Sequence, residues 1–198
     1  MKKICFLMMT CLWAMGIQAQ TAKSVLDKAA ASISVKDGVR ANFNMTGSYG
    51  NTNGSIALKG KKFHATTPQA IVWFDGKTQW TYMKNNDEVN ITTPTESQLQ
   101  AINPYNFINL YKKGYNYTMN QSGSSYVVHL TATTKEQKIS ELFITIDKKS
   151  YHPTQVKLLQ NKKWTIFDIS SLKKATLADA EFRFNAKDYP HAEIIDLR

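Results

Sequence analysis

Cysteine is nearly absent from this chain: its two copies, Cys5 and Cys11, both precede Leu12. Proline is sparse, with five copies, and arginine sparser still, at Arg40, Arg183 and Arg198 only. Four histidines, His64, His129, His152 and His191, lie dispersed, with no His-x-x-x-His pair and no carboxylate at metal-ligand spacing. There is no Gly-x-Ser-x-Gly elbow and no phosphate-binding loop. These absences leave no motif for an enzyme and imply no cofactor. Disulfides and cysteine catalysis are excluded from everything beyond Leu12.

Long apolar runs are missing too, apart from Ile4 to Ile17. That run is shorter than the roughly 20 residues a spanning helix needs. With Met1-Lys2-Lys3 before it and the small Ala19 after it, it matches a secretory leader with cleavage after Ala19. The reading is a leader over 1–19 and one domain over 20–198, exported to the periplasm as a soluble monomer. Lipidation at Cys11 is the alternative, and Met8-Met9-Thr10 lack the small residues that this processing favours.

Of the charges, 25 are basic and 15 acidic, a net +10 that falls to +8 once Lys2 and Lys3 are removed. The excess is lysine, often in pairs at turns, such as Lys61-Lys62 and Lys112-Lys113. Lysine pairs at strand ends blunt sheet edges. A nucleic-acid surface would instead interleave arginine with aromatics on one element, so nucleic acid is not an expected partner.

What the chain has is aromatic alternation. Pro68 to Ile91 reads as three antiparallel strands, with Asp75-Gly76 as a two-residue type I′ turn. That register sets Trp73 opposite Thr78, Ile71 opposite Trp80 and Gln69 opposite Tyr82, with Val89 and Ile91 joining the same face. Such a face requires a cover: a helix, another sheet or a ligand.

Before it, Val25, Leu26, Ala29, Ala30 and Ile33 recur at helical spacing. Val39 to Gly47 alternates as a strand, Ser48 to Asn53 reads as a loop, and Gly54 to Leu58 resumes the strand pattern. After Ile91, Thr93 or Thr95 caps a short helix carrying Leu99 and Ile102, broken by Pro104. A second short helix over 105–113 carries Phe107, Ile108, Leu110 and Tyr111. From Tyr115 the strand pattern returns, with strands over 115–120, 126–131, 141–147, 155–159 and 163–169. A helical turn is expected over 175–180, and Phe182 with Phe184 opens a last strand. The fold class is therefore mainly β, an α+β meander. Pattern alone leaves open whether the aromatic residues fill a core or line a cleft.

The run Asp75-Gly76-Lys77-Thr78-Gln79-Trp80-Thr81-Tyr82, followed by an Asn/Asp/Glu turn and Val89, resembles the central segment of the periplasmic outer-membrane lipoprotein carriers, the LolA family. Leu26-Asp27-Lys28, Val39 to Met45, Gly54 to Lys59, Pro104 to Leu110 and Ala180-Glu181-Phe182-Arg183-Phe184 follow in matching order. The resemblance implies a single incomplete antiparallel β-barrel with short helices forming a lid over a hydrophobic cavity. It implies a chaperone that takes acylated lipoproteins from an inner-membrane lipoprotein-releasing ABC transporter and hands them to an outer-membrane acceptor. Carried onto this sequence, the acyl-chain site comprises Phe43, Met45, Ile56, Leu58, Ile71, Trp73, Trp80, Tyr82, Val89 and Ile91, with Leu99, Ile102, Phe107 and Leu110 from the lid.

One departure stands out. Where the family often has Arg-Pro, whose arginine latches the lid, this chain has Lys59-Gly60-Lys61-Lys62, and lysine lacks the planar fork for several simultaneous bonds. A lipid-binding or envelope-stress-sensing module of the same shape is the alternative function. A lipidated outer-membrane acceptor is a third, and a hydrolase a fourth.

Overall fold

The computed structural model describes residues 21–34, 36–48, 50–95, 98–99 and 107–198. Its first element begins where the sequence supplies a cap. Thr21 Oγ1 accepts from the Ser24 backbone N–H at 3.2 Å and opens the helix α1 (Ala22–Ile33). Val25, Leu26, Ala29, Ala30 and Ile33, the residues at helical spacing, form its buried face.

Twelve strands follow in one sheet: β1 (Val39–Gly47), β2 (Gly50–Lys59), β3 (Lys62–Thr66), β4 (Ala70–Phe74), β5 (Gln79–Met83), β6 (Glu88–Thr92), β7 (Tyr115–Ser122), β8 (Ser125–Ala132), β9 (Ile139–Asp147), β10 (Pro153–Gln160), β11 (Lys163–Lys174) and β12 (Glu193–Asp196). Their spatial order is β12-β6-β5-β4-β3-β2-β1-β11-β10-β9-β8-β7. The chain meanders outward from β1 to β6, passes to the opposite edge, starts again at β7 and returns until β11 pairs with β1. The sheet is open, with β12 and β7 as its edges. The expected incomplete barrel is thus a single open sheet, and not wholly antiparallel, because β12 runs parallel to β6.

Three sequence expectations are corrected by local hydrogen bonding. Asp75-Gly76 does not form a two-residue turn. Asp75 Oδ1 accepts from the backbone N–H groups of Lys77 (3.0 Å) and Thr78 (2.9 Å), and Phe74 pairs with Gln79, so four residues make the loop. A type I′ turn needs positive φ at both central residues, and only Gly76 has it, at 103°. The register therefore slips by two, placing Trp73 opposite Trp80 and Ile71 opposite Tyr82. A slip of two keeps every side chain on its expected face.

Second, most of the stretch read as a loop over 48–53 is strand, because β1 and β2 stay paired as far as Gly47 and Gly50. The cross-strand ladder outweighs the turn preference of Asn and Gly. Third, the last strand is Glu193–Asp196, while Phe182 sits in a one-turn 3-10 helix, Asp179–Phe182.

The crossing from β6 to β7 contains the stretch expected to be helical. Thr95 is the cap: its Oγ1 accepts from the Gln98 N–H at 3.3 Å, and Gln98 Oε1 accepts from the Thr95 N–H at 2.8 Å, a reciprocal capping box. Ile102 and Pro104 lie outside the described residues. Phe107, Ile108, Leu110 and Tyr111 are buried in the main core beside α1 and β7 to β10. A smaller cluster of Ala57, Leu177 and Phe182 lies apart from it.

Phe182 is fully buried in that small cluster, so Phe182→Ala should cost about 3–5 kcal/mol of unfolding free energy. Asp179→Asn, which removes only solvent-screened ion pairs next to it, should shift stability far less. Urea midpoints of the two variants check this, and similar losses would contradict the packing.

Candidate functional site

The register of β1 to β6 assigns every side chain to one of two faces. On one face, cross-strand partners form a row Ala41–Ile56–Ala65–Val72 and beside it a row Val39–Leu58–Phe63–Phe74. This face packs against α1 and the Phe107–Ile108 segment. Phe43 continues it on β1 and lies opposite Gly54, where a Cβ would come 2.1 Å from the Thr66 carbonyl oxygen and 2.9 Å from the Phe43 ring. Glycine is required there, and its bareness makes room for the ring.

An apolar hollow of about 110 Å³ opens on this face. β1 and β2 line it with Ala41, Phe43, Ile56 and Leu58, and α1 contributes Ile33. Phe107 and Ile108 close it from the crossing segment, while Val156, Phe167, Ile169 and Leu172 form the wall from β10 and β11. Phe167 is the aromatic hinge of the wall, 5.9 Å from Phe107 and 6.5 Å from Phe43 between ring centroids. Among the described lining residues, Asn42 alone carries a polar side chain.

Of the residues expected at the acyl site, Phe43, Ile56, Leu58 and Phe107 line this hollow. Leu110 is buried in the core next to it, and Leu99 packs against that core from the side. Met45 is on the same face but outside the lining, opposite Phe167. Ile102 lies outside the described residues.

The remaining six lie away from this hollow. Ile71, Trp73, Trp80, Tyr82, Val89 and Ile91 sit on the other face, because β3 presents Phe63 and Ala65 inward and its partner β4 must then present Val72 and Phe74. Trp73 lies opposite His64 and stacks on it, with ring centroids 5.5 Å apart and planes at 6°. The cover of this aromatic face is the C-terminal segment. Phe184 and Tyr189 meet the Trp73 ring edge-on at 5.6 and 5.7 Å, and Tyr189 lies 4.6 Å from Tyr82. β4 is apolar on both faces, so the sequence carried no tie-break. The signal that could have supplied one is the late run of aromatics, Phe182, Phe184 and Tyr189.

The lysines of the β2–β3 turn also serve this cover. Lys59 Nζ donates to the Leu177 carbonyl at 2.7 Å, and Lys59 and Lys62 pair with Asp179 at 3.1 and 2.9 Å. Both lysines, Lys62 first, hold the Asp179 carboxyl below the usual carboxylate range. Arg40 pairs with Glu181. Where the family resemblance leads one to expect a lid latch, this chain therefore has a clamp on its C-terminal segment. On the face of the hollow, Tyr111 Oη donates to Asp27 Oδ1 of α1 at 2.5 Å.

Among the described residues no group of three or more His, Cys, Asp or Glu is placed to hold a metal ion, and no helix is long and apolar enough to cross a membrane. Among the described residues the arrangement is an apolar hollow on one face of an open sheet. The chain belongs to the family described as outer membrane lipoprotein carrier protein LolA, whose model matches residues 12–162. That match stops before β11 and the C-terminal cover.

Among solved structures, an uncharacterised conserved protein from Thermus thermophilus shares the fold at 12% identity and a TM-score of 0.59, over 89% of this chain and 99% of that one. A LolA superfamily protein from Nitrosomonas europaea matches at 15% identity and 0.46, over 84% and 99%. MucB in its complex with MucA, from Pseudomonas aeruginosa, matches at 12% identity and 0.44, over 82% of this chain and 60% of that one. Among curated proteins, none matches this sequence.

His64 lies under the C-terminal cover, where burial first and the Arg40 charge second push its pKa below the ordinary 6.5, with Glu181 opposing. The folded chain thus binds this proton less readily than the unfolded chain, so stability present above 6.5 is lost as pH falls toward the folded value. Between about pH 7.5 and 5 the urea midpoint should fall in the parent protein and fall less in His64→Phe. Parallel curves for the two proteins would show that His64 stays accessible to protons.

Proposed function

We propose that this protein is a periplasmic chaperone that binds the acyl chains of lipoproteins and carries them from the inner to the outer membrane. The observation that carries the reading is the apolar hollow between α1, the Phe107–Ile108 segment and the sheet, in a chain whose family is that of lipoprotein carriers. The envelope location rests on the same family and on the leader read over 1–19. The donor in this scheme is a lipoprotein-releasing ABC transporter and the recipient an outer-membrane acceptor.

The size of the hollow says how loading works. An apolar cavity of about 150 Å³ accommodates benzene, so 110 Å³ is far too small for an acyl chain. Loading therefore requires Phe107 and Ile108 to swing out and yield their places to the ligand. Each buried methylene contributes about 0.8 kcal/mol, so a chain of about 16 carbons gains on the order of 12 kcal/mol. The displaced Phe107 and Ile108 side chains lose their own burial, which offsets part of that gain and keeps the complex releasable.

The test is release of a triacylated lipoprotein from spheroplasts into a soluble one-to-one complex. Ile56→Asp puts a charge into the hollow and should reduce release by at least about tenfold, since an unpaired buried carboxylate costs several kcal/mol. Trp80→Gln, on the opposite face, should leave release within about twofold of the parent if folding is intact. Absence of release by the parent protein, with lipid still bound, would move the function to lipid binding or sensing.

A further inference from the structure

The two apolar rows do not end at β4. The first runs on from Val72 to Thr81 and Asn90, and the second from Phe74 to Gln79 and Thr92. On one continuous face the sheet changes from fully apolar to uncharged and polar at a single strand boundary. Neighbouring strands are about 4.8 Å apart, so Thr81 on β5 lies roughly 10 Å across the face from Ala65, a residue of the hollow. That is the scale of one lipid head.

The donor set on this shelf is specific. Gln79 Nε2 donates to Thr81 Oγ1 at 3.2 Å, while Gln79 Oε1 is buried and has no partner among the described residues. Turning the amide over would only exchange which end is orphaned. A hydroxyl can donate or accept, so it satisfies either orientation. The neighbouring ionised group is Glu88, on the same face and bonded by the Asn90 amide. Lys84, in the adjoining turn, is engaged with the Thr67 carbonyl at 2.7 Å. No cation belongs to either row, so an anionic head would meet Glu88 without a counter-charge.

We infer that Gln79, Thr81, Asn90 and Thr92 form a head-group subsite for an uncharged, hydroxyl-bearing glyceryl ester whose chain occupies the hollow. The inference rests on the acyl-binding reading and deepens it by naming the head. It runs against the net charge of the chain, which by itself would favour an anionic lipid.

The full chain is titrated with 1-oleoylglycerol, with 1-oleoylglycerol 3-phosphate and with 1-octadecene delivered from cyclodextrin, each displacing a fluorescent fatty acid. The neutral glyceride should bind at least about tenfold more tightly than the phosphate. Thr81→Val and Gln79→Leu should each weaken the glyceride by about three- to tenfold and leave 1-octadecene unchanged. A peptide bearing a diacylglyceryl cysteine, whose glycerol has no free hydroxyl, is the matched control: weaker binding than the free glyceride upholds the hydroxyl subsite and assigns the head to a free lipid, whereas tighter binding overturns the subsite and leaves the acyl reading standing. Equal affinity for glyceride and phosphate overturns the subsite even if a variant fails to fold, because the parent protein alone decides it. Binding of 1-octadecene with no head-group preference leaves the acyl reading standing, whereas binding of none of the probes removes both.

Discussion

A sheet of twelve strands has two faces to bury, and α1, twelve residues long, cannot cover even one of them. The rest of the structure follows from this shortage of cover. On one face α1 is supplemented by the crossing segment, which brings Phe107, Ile108, Leu110 and Tyr111 into the core. On the other, β4 and β5 would expose Trp73 and Tyr82, and Phe184 and Tyr189 of the C-terminal segment are laid over them. The crossing segment is held to the helix by Tyr111 and Asp27, the C-terminal segment by Lys59, Lys62 and Arg40.

The two supplements differ in what removal would require. The C-terminal cover is fixed by edge-on aromatic contacts, by strand pairing of β12 with β6 and by ion pairs to Asp179 and Glu181. It extends the sheet as well as shielding it. The Phe107–Ile108 closure instead presses two side chains against a hollow that their own departure would enlarge. A segment of that kind can exchange with a ligand of matching chemistry without unravelling the sheet. The aromatic face therefore reads as structural, and the opposite face as the one available to a ligand.

Much of this was legible in the sequence, and the reasons for the remainder are physical. The α1 face and β1 followed directly from 3.6- and 2-residue periods. The family resemblance pointed to the right fold class, and Phe43, Ile56, Leu58 and Phe107 do meet at one hollow. The expectation for Trp80 and Tyr82 equated the most aromatic face with the one that bears the hollow, and the structure puts them on opposite faces. Parity fixes faces relative to each other within a hairpin, but only the β2–β3 and β3–β4 pairings tie that hairpin to the core. The wall from Phe167 and Ile169 was equally hidden, because the pairing of β11 with β1 spans more than a hundred residues of sequence. No local signal encodes so distant a contact. The β12 pairing with β6 was invisible for the same reason.

The most direct measurement is photocrosslinking of a radiolabelled acyl ligand to chains carrying a photoreactive phenylalanine analogue at one position. The account predicts strong labelling from positions 56 and 167, on the face of the hollow, and background labelling from positions 80 and 82 on the opposite, aromatic face. Strong labelling from 80 or 82 with none from 56 would contradict it, placing the ligand on the aromatic face and making the C-terminal segment the part that moves.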